Sequence, residues 1–133
     1  MLTANILTIR DETAMGQVMY EFDLTFPKVQ ITVKDIIIER VKQEVDNYNN
    51  KQTKEHYGLV QPTQAEKTLN RFKLDSKAKI NVETQIDIAL RAFESNGFFV
   101  LINNVQVEAL TEQITIDENQ TASFIKLVPL VGG

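Results

Sequence analysis

The hydrophobic pattern at the start of the chain predicts a β-hairpin. Residues 6–10 and 18–26 are two strand candidates, and Gly16 marks the turn between them. In the second strand apolar and polar positions alternate, which is typical of a strand with one wet side, so this strand is expected at a sheet edge. The apolar positions are Tyr20, Phe22, Leu24 and Phe26, and the polar positions are Glu21, Asp23 and Thr25.

A helical pattern follows this hairpin. Pro27 ends the second strand, and Thr32 with Asp35 three residues later offers an N-cap close to a capping box. A first helix is therefore predicted to begin near Val33 and to close at the asparagine pair 49–50. Its predicted buried stripe consists of Ile37, Val41, Val45 and Tyr48.

The pattern predicts a second helix over residues 82–95. Asn81 is a good N-cap, and Asn96-Gly97 supplies a C-cap. The strand that follows, FFVLI at 98–102, is apolar on both faces, as a strand covered from both sides would be. We therefore expect the second helix on the sheet face opposite the first, which makes three layers. Its apolar positions are Val82, Ile86, Ala89, Leu90 and Phe93.

The last part of the chain predicts a tight turn and a final strand that runs into an apolar tail. Asn103-Asn104 can adopt the positive φ of a type I′ turn. Lysine side chains are almost never fully buried without a partner, so Ile125 and Leu127, and not Lys126, are expected to face the first helix. Phe124, Lys126 and Val128 are expected on the other side, where Phe124 and Lys126 form a candidate surface patch. At average glycine usage, two glycines in the last two positions have a chance of about one in 200.

Composition and charge exclude several classes of function. With 133 residues and 43% apolar content, the chain is expected to form one domain. The net charge of −4 argues against a nucleic-acid surface. No apolar run of membrane-spanning length and no signal-peptide pattern is visible, so a soluble, cytoplasmic protein without membrane partners is expected. The absence of cysteine fits a reducing compartment but does not prove it.

Candidate catalytic chemistry is sparse. One histidine, no cysteine and three serines outside any GxSxG motif leave no nucleophile–base arrangement. His56 and the basic stretch from Lys67 to Lys79 are interpreted as solvated residues of the segment between the helices, whose first part is predicted to be a mobile loop. Residues 117–119 lack the spacing of an EF-hand and predict a turn. The chain is therefore not expected to be an enzyme or to hold a metal or cofactor, and any ATP must be bound by a partner because no phosphate-binding loop is present.

Both ends of the chain resemble the ubiquitin-like β-grasp superfamily, which includes ubiquitin and the sulphur carriers of thiamin and molybdenum-cofactor synthesis. The ending LVPLVGG is similar to the strand, proline and Gly-Gly ending of those carriers, and a hairpin followed by an amphipathic helix is how β-grasp proteins open. The resemblance implies an α+β fold: a mixed sheet with one helix on one face and the inserted helix expected on the other. It also implies that the final strand lies in the sheet interior, parallel to the first strand. It implies a single domain over 1–133, with a core of 5–50 and 97–128, an insertion of 51–96, where the superfamily has only a short connection, and a tail of 129–133.

The resemblance also implies a chemistry for the tail. Members have their terminal carboxylate adenylated by an ATP-dependent, ubiquitin-activating-like enzyme, so Gly132 and Gly133 would be the activated end, and conjugating and deconjugating enzymes would be further partners. Three hypotheses stay open: a modifier joined to an amine, a sulphur carrier with a thiocarboxylate at Gly133, and a non-covalent interaction module. We favour the first. The tail residues expected to contact the partner are Leu127, Val128, Pro129, Leu130 and Val131.

Overall fold

A computed structural model describes residues 5–51 and 80–126 of the chain. The chain divides into two compact units, which we call the sheet unit (Met1–Ile36 with Ala92–Gly133) and the helical unit (Ile37–Arg91). His56, the basic stretch from Lys67 to Lys79 and the segment 127–133 lie outside the described residues.

The described residues form a mixed α+β structure, as predicted. The elements, in chain order, are β1 (Asn5–Glu12), β2 (Val18–Phe26), β3 (Gln30–Thr32), α1 (Val33–Lys51), α2 (Val82–Glu94), β4 (Phe98–Ile102), β5 (Val105–Val107), β6 (Gln113–Thr115) and β7 (Thr121–Lys126). Within residues 5–51 and 80–126, no helix has the length and hydropathy needed to cross a bilayer.

The main sheet has five strands in the order β2-β1-β7-β4-β5. The last strand, β7, runs parallel to β1 and antiparallel to β4, so it lies in the interior of the sheet. This arrangement confirms the interior position and parallel direction that the β-grasp resemblance implies for the final strand. The predicted edge position of β2 is confirmed as well.

The β1–β2 hairpin forms as its pattern predicts and contains a bulge near its turn. Asp11 pairs with Tyr20, but Glu12 pairs with Val18, so the register passes over Met19. An extra residue of this kind bends an edge strand and increases its twist. Gly16 has a φ of 89° in the turn, a conformation that glycine adopts without steric cost.

Local capping signals determine where both helices begin. Thr32 and Asp35 exchange hydrogen bonds: Asp35 N donates to Thr32 Oγ1 at 3.2 Å, and Thr32 N donates to Asp35 Oδ2 at 3.0 Å. At the second helix, Thr84 N donates to Asn81 Oδ1 at 2.8 Å. These bonds satisfy backbone donors that have no partner within the helix, and they confirm both predicted N-caps.

Asparagines in the left-handed conformation end α2 and form the β4–β5 turn. Asn96 has a φ of 63°, and Gly97 N donates to Ala92 O at 2.6 Å, which confirms the predicted C-cap. Asn103 and Asn104 have φ values of 50° and 70°. Positive φ at both central residues is the requirement of a type I′ turn, so this prediction is also confirmed.

One face of the sheet is buried and the other is partly open. The buried face carries apolar side chains from all five strands; they include Leu7, Ile9, Leu24, Val100, Val107, Ala122 and Phe124. On the opposite face Phe99, Leu101 and Ile125 are half-buried, and Ile6 is 44% exposed. The alternation therefore gives a single well-buried side to the sheet.

One prediction about these faces was wrong. Phe124 is only 1% exposed and its ring stacks on Phe98 at 5.8 Å, so it cannot form a surface patch with Lys126. Phe93, in the last turn of α2, contacts the same Phe98 ring at 5.8 Å, which places that turn on the buried face. The predicted placement of the second helix on the sheet face opposite the first helix stays a prediction.

Lys126 is exposed because it lies opposite the first residue of β4, at the end of the sheet. Lys126 pairs with Phe98 and so shares the face of Phe124, but it is exposed at the end of the sheet. A long side chain at a strand end can keep its ammonium group in water while neighbours on the same face are buried. The predicted contact of Ile125 and Leu127 with α1 stays a prediction, because Leu127 is not described.

In the helical unit the predicted stripe of α1 is buried at Ile37, Val41 and Val45, and Tyr48 is half-buried. Two deeply buried polar side chains were not foreseen. Arg40 is fully buried and forms an ion pair with Glu44 one turn later. In α2, Gln85 is fully buried on the same face as Ala89.

A short strand pair was also missed by the sequence analysis. β3 and β6 pair antiparallel through three residues each, with Ile31 opposite Ile114 and both side chains buried. Val33 N then donates to Glu112 O at 3.0 Å, so this pair leads directly into the start of α1.

Candidate functional site

The strand that leads into the Gly-Gly segment ends beside the turn of the first hairpin. In the parallel β1–β7 pair, Ile125 lies opposite Glu12, and the hairpin turn follows directly after Glu12. Lys126, the last residue of β7, is therefore at the same end of the sheet as that turn. Any chemistry at Gly133 takes place on a segment attached here.

A row of side chains crosses four strands at this end, on the partly open face. Val18 pairs with Glu12, Glu12 with Ile125, and Ile125 with Phe99. We call these four residues the tail-root row. Neighbouring strands are about 4.8 Å apart, so the row is roughly 14 Å wide. Val18 is exposed, and the other three side chains are half-buried.

The carboxylate in this row is held by a buried hydroxyl. Ser123, which is only 3% exposed, donates a hydrogen bond from Oγ to Glu12 Oε2. This bond orients the single charge within an otherwise apolar row. The tail-root row therefore combines three apolar side chains with one positioned anion.

The neighbouring rows of the open face are mainly polar. Arg10 Nε contacts Glu21 Oε2 at 2.6 Å, and Thr8 Oγ1 donates to Asp23 Oδ1 at 2.9 Å. These pairs are solvent-exposed and contribute little to stability. The open face is therefore more apolar at the end where the tail-root row lies than in the middle. Leu101, in the row next to it, is also apolar and half-buried.

A second group of apolar side chains surrounds the hairpin turn. Seven large apolar side chains of the described residues are exposed, and four of them lie between positions 15 and 20. We call these four the hairpin patch. Their exposed fractions are 95% for Met15, 47% for Val18, 63% for Met19 and 44% for Tyr20. Val18 pairs with Glu12 and Tyr20 pairs with Asp11, so the four side chains are spread over both faces at this end of the hairpin.

Of the predicted site residues, the structure describes only Phe124 and Lys126. The tail residues 127–131 and the pair Gly132-Gly133 lie outside the described part of the chain. Lys126 is exposed at the root of this segment, whereas Phe124 belongs to the core. The tail-root row and the hairpin patch were both missed. The signal that could have revealed the row was the strand FFVLI, which is apolar on both faces.

The acidic turn shows no metal-binding arrangement. Glu118 N donates to Asp117 Oδ1 at 2.8 Å, Asp117 N donates to Gln120 Oε1 at 2.9 Å, and Asn119 has a φ of 60°. These bonds make it a turn, as predicted. Across residues 5–51 and 80–126, no three metal-ligating side chains are grouped for a metal ion.

Comparisons of the chain with protein families, with curated proteins and with solved structures found no match. The fold itself defines a mixed α+β protein, whose described part has a five-stranded mixed sheet and two helices.

Proposed function

We propose that this protein is a ubiquitin-like modifier of the β-grasp class. Its carboxylate at Gly133 is adenylated by an ATP-dependent activating enzyme and then transferred to an amine of a target. The observation that carries the proposal is the position of β7, an interior strand parallel to β1 that leads into LVPLVGG. The chain is the substrate of these steps and performs none of the catalysis.

The chemistry requires a partner because a carboxylate is a poor electrophile. The activating enzyme joins the Gly133 carboxylate to the α-phosphate of ATP and releases pyrophosphate. An amine, or first a thiol of the enzyme, then attacks the acyl carbon, and AMP leaves. Gly132 and Gly133 have no Cβ, so bare backbone can pass through a narrow channel to the reacting phosphate. Pro129 restricts the backbone before the pair and lowers the entropic cost of ordering the segment.

The sheet supplies a fixed root for this segment. β7 pairs with β1 on one side and β4 on the other, so its last residues are held from both sides. Beyond Lys126 the seven residues 127–133 can extend at most about 25 Å. A rigid base with a short reach is what a carrier needs in order to deliver its end to a partner's active site. The tail-root row at that base offers apolar contact area to the activating, conjugating and deconjugating enzymes.

Two alternatives share the same structure. In a sulphur carrier sulphide attacks the acyl carbon of the adenylate at Gly133, AMP leaves, and a thiocarboxylate forms. In a non-covalent module the open face binds a partner and Gly-Gly has no chemical role, which the half-buried Phe99 and Ile125 also fit.

Pyrophosphate exchange tests the proposal. The adenylating enzymes encoded by the same organism are purified and assayed with the wild-type chain, with a chain lacking Gly132-Gly133, and with Gly132→Val and Gly132→Ala. We expect one enzyme to catalyse exchange with the wild type and none with the truncated chain. Gly132→Val should abolish exchange because a β-branched side chain blocks the channel, while Gly132→Ala should retain part of it.

The controls and products separate the three hypotheses. The truncated chain should unfold within about 0.5 kcal/mol of the wild type, because the two glycines have no side chains to pack in a core. An amide-linked Gly-Gly remnant on target lysines identifies a modifier, and an oxygen-to-sulphur exchange at Gly133 identifies a sulphur carrier. A truncated chain that functions normally in its cell would leave only the non-covalent module.

A further inference from the structure

We propose that a pocket at the start of β1 binds an extended peptide of a partner protein and holds one basic side chain of that peptide. The pocket has a volume of about 410 Å³, within the range of about 300–1,000 Å³ that is usual for small-ligand sites. We call it the β1 pocket. Its lining includes Asn5, Ile6, Asp117, Glu118 and Gln120. The inference does not depend on the proposed function.

The β1 pocket occupies a gap at the end of the sheet opposite to the tail-root row. β1 and β7 run parallel, and both strands begin at this end. β1 begins at Asn5, but its pairing with β7 begins only at Thr8. Among the described strands, none therefore pairs with residues 5–7 on the side of β7. The acidic turn, residues 117–120, forms the other wall of this gap.

Ile6 presents a backbone donor and a backbone acceptor to the gap. Thr8 N donates to Gln120 O at 3.2 Å, so Thr8 directs its N–H and C=O groups toward β7. Backbone direction alternates along a strand, and Ile6, two residues earlier, directs its groups the same way. Neither group has a hydrogen-bond partner within residues 5–51 and 80–126. An extended peptide can pair with both, as a strand added to a sheet edge does.

Gln120 adds a buried side-chain donor to the pocket. Its side chain is only 8% exposed, and its Oε1 accepts a hydrogen bond from Asp117 N at 2.9 Å. The Nε2 group on the same carboxamide has no acceptor in the part of the chain that the structure describes. No fully buried side-chain nitrogen or oxygen of these residues is left unpaired, so Nε2 reaches the pocket surface. A donor already fixed in place loses little entropy when it binds a ligand carbonyl.

Two carboxylates indicate that the ligand is cationic. Asp117 and Glu118 are exposed, and neither forms an ion pair with any residue in 5–51 or 80–126. Glu118 N donates to Asp117 Oδ1 at 2.8 Å, which orients the Asp117 carboxylate. Opposite charges guide association and fix the register of a bound segment. The lining also includes Ile6, which is 44% exposed, and the aliphatic stem of a lysine can pack on its side chain.

Charge alone does not make this site, because an exposed ion pair contributes little to binding. The backbone groups of Ile6 and the Nε2 group of Gln120 select a ligand that has amide groups as well as a positive charge. A free metal ion fits less well, since no three metal-ligating side chains of the described residues are grouped. An extended peptide with a lysine or arginine supplies all of the complementary groups.

NMR titration of the ¹⁵N-labelled full chain tests the inference. The probe is the blocked tripeptide acetyl-Val-Lys-Val-amide. Two comparison probes separate its parts: the same tripeptide with norleucine in place of lysine lacks the charge, and n-butylammonium chloride lacks the peptide backbone. We expect a Kd on the order of 1 mM for the lysine peptide and binding at least about tenfold weaker for each comparison probe. Amide hydrogen exchange at Ile6 should slow when the lysine peptide binds, because this N–H then donates to a peptide carbonyl.

A pair of matched variants locates the binding. Asp117→Asn/Glu118→Gln keeps the shape of both side chains and the oxygen that accepts from Glu118 N, but it removes two negative charges. The control, Glu108→Gln/Glu112→Gln, removes two charges from another exposed turn of the same unit. We expect the first variant to bind the lysine peptide at least about tenfold more weakly and the control to stay within about twofold of the wild type. Melting temperatures of both should stay within about 2 °C of the wild type.

Every other outcome overturns the inference. A lysine peptide that leaves the spectrum unchanged at concentrations on the order of 10 mM does not bind there. Equal binding of the norleucine peptide would exclude recognition of the charge, and equal binding of n-butylammonium would exclude recognition of the backbone. Equal weakening by the control variant would show attraction to net charge alone. The chain without Gly132-Gly133 should bind the lysine peptide as the wild type does, so neither result bears on the reaction at Gly133.

Discussion

Individual side chains in β7 show how position along a strand determines exposure. Phe124 and Lys126 share one face of the sheet, but Phe124 stacks on Phe98 in the core while Lys126 is exposed at the strand end. A charged residue therefore does not exclude its face from the core when it occupies the terminal position. The predicted surface patch is wrong because the exposure expected for Lys126 was extended to Phe124 on the same face, which is buried.

Phe124→Ala should destabilise the protein by about 3–5 kcal/mol, because the substitution removes a fully buried ring and leaves a cavity next to Phe98. Urea unfolding measures the change. Lys126→Ala, two residues later on the same face, is the control and should stay within about 0.5 kcal/mol of the wild type. Equal effects of the two substitutions would contradict the burial of Phe124 and the exposure of Lys126.

Among the elements, the last turn of α2 belongs to the sheet unit and packs in its core. Phe93 is 6% exposed, and its ring lies 5.8 Å from that of Phe98. Aromatic pairs in this arrangement stabilise beyond their buried area by about 0.5–1.5 kcal/mol.

Phe93→Ala should therefore cost about 3–5 kcal/mol in the free energy of unfolding, again measured in urea. Glu94→Ala changes the exposed neighbour in the same turn and should have little effect. A loss below about 1 kcal/mol at Phe93 would show that the last turn of α2 is peripheral to the core.

The elements that sequence predicted well are those with local signals. Both N-caps, the asparagine turn at 103–104 and the hairpin depend on residues close together in the chain. The β3–β6 pair joins residues more than 80 positions apart through three-residue strands, which are too short for a periodic signal. The burial of Gln85 was not predicted, because a polar side chain is buried where distant parts of the chain supply hydrogen-bond partners, and the local sequence does not reveal those parts.

At the scale of the whole molecule, the sheet leaves one face partly open, and this face becomes apolar at the end where β7 stops. The strand FFVLI was interpreted as covered on both sides, yet Phe99 and Leu101 are only half-buried. A strand that is apolar on both faces indicates either burial or an interaction surface, and periodicity alone does not distinguish the two. Here the open apolar side chains lie at the root of the Gly-Gly segment, which supports a surface used by partners.

The central claim is that the carboxylate of Gly133 is the group that reacts. Tandem mass spectrometry of the C-terminal peptide, after the chain has been incubated with ATP and the activating enzyme and quenched in acid, tests it most directly. The account predicts an adenylyl group on Gly133, or the acyl-enzyme that forms from it, and neither with the chain that lacks Gly132-Gly133. An unmodified Gly133 in a reaction that consumes ATP, or a modification at any other residue, would contradict it.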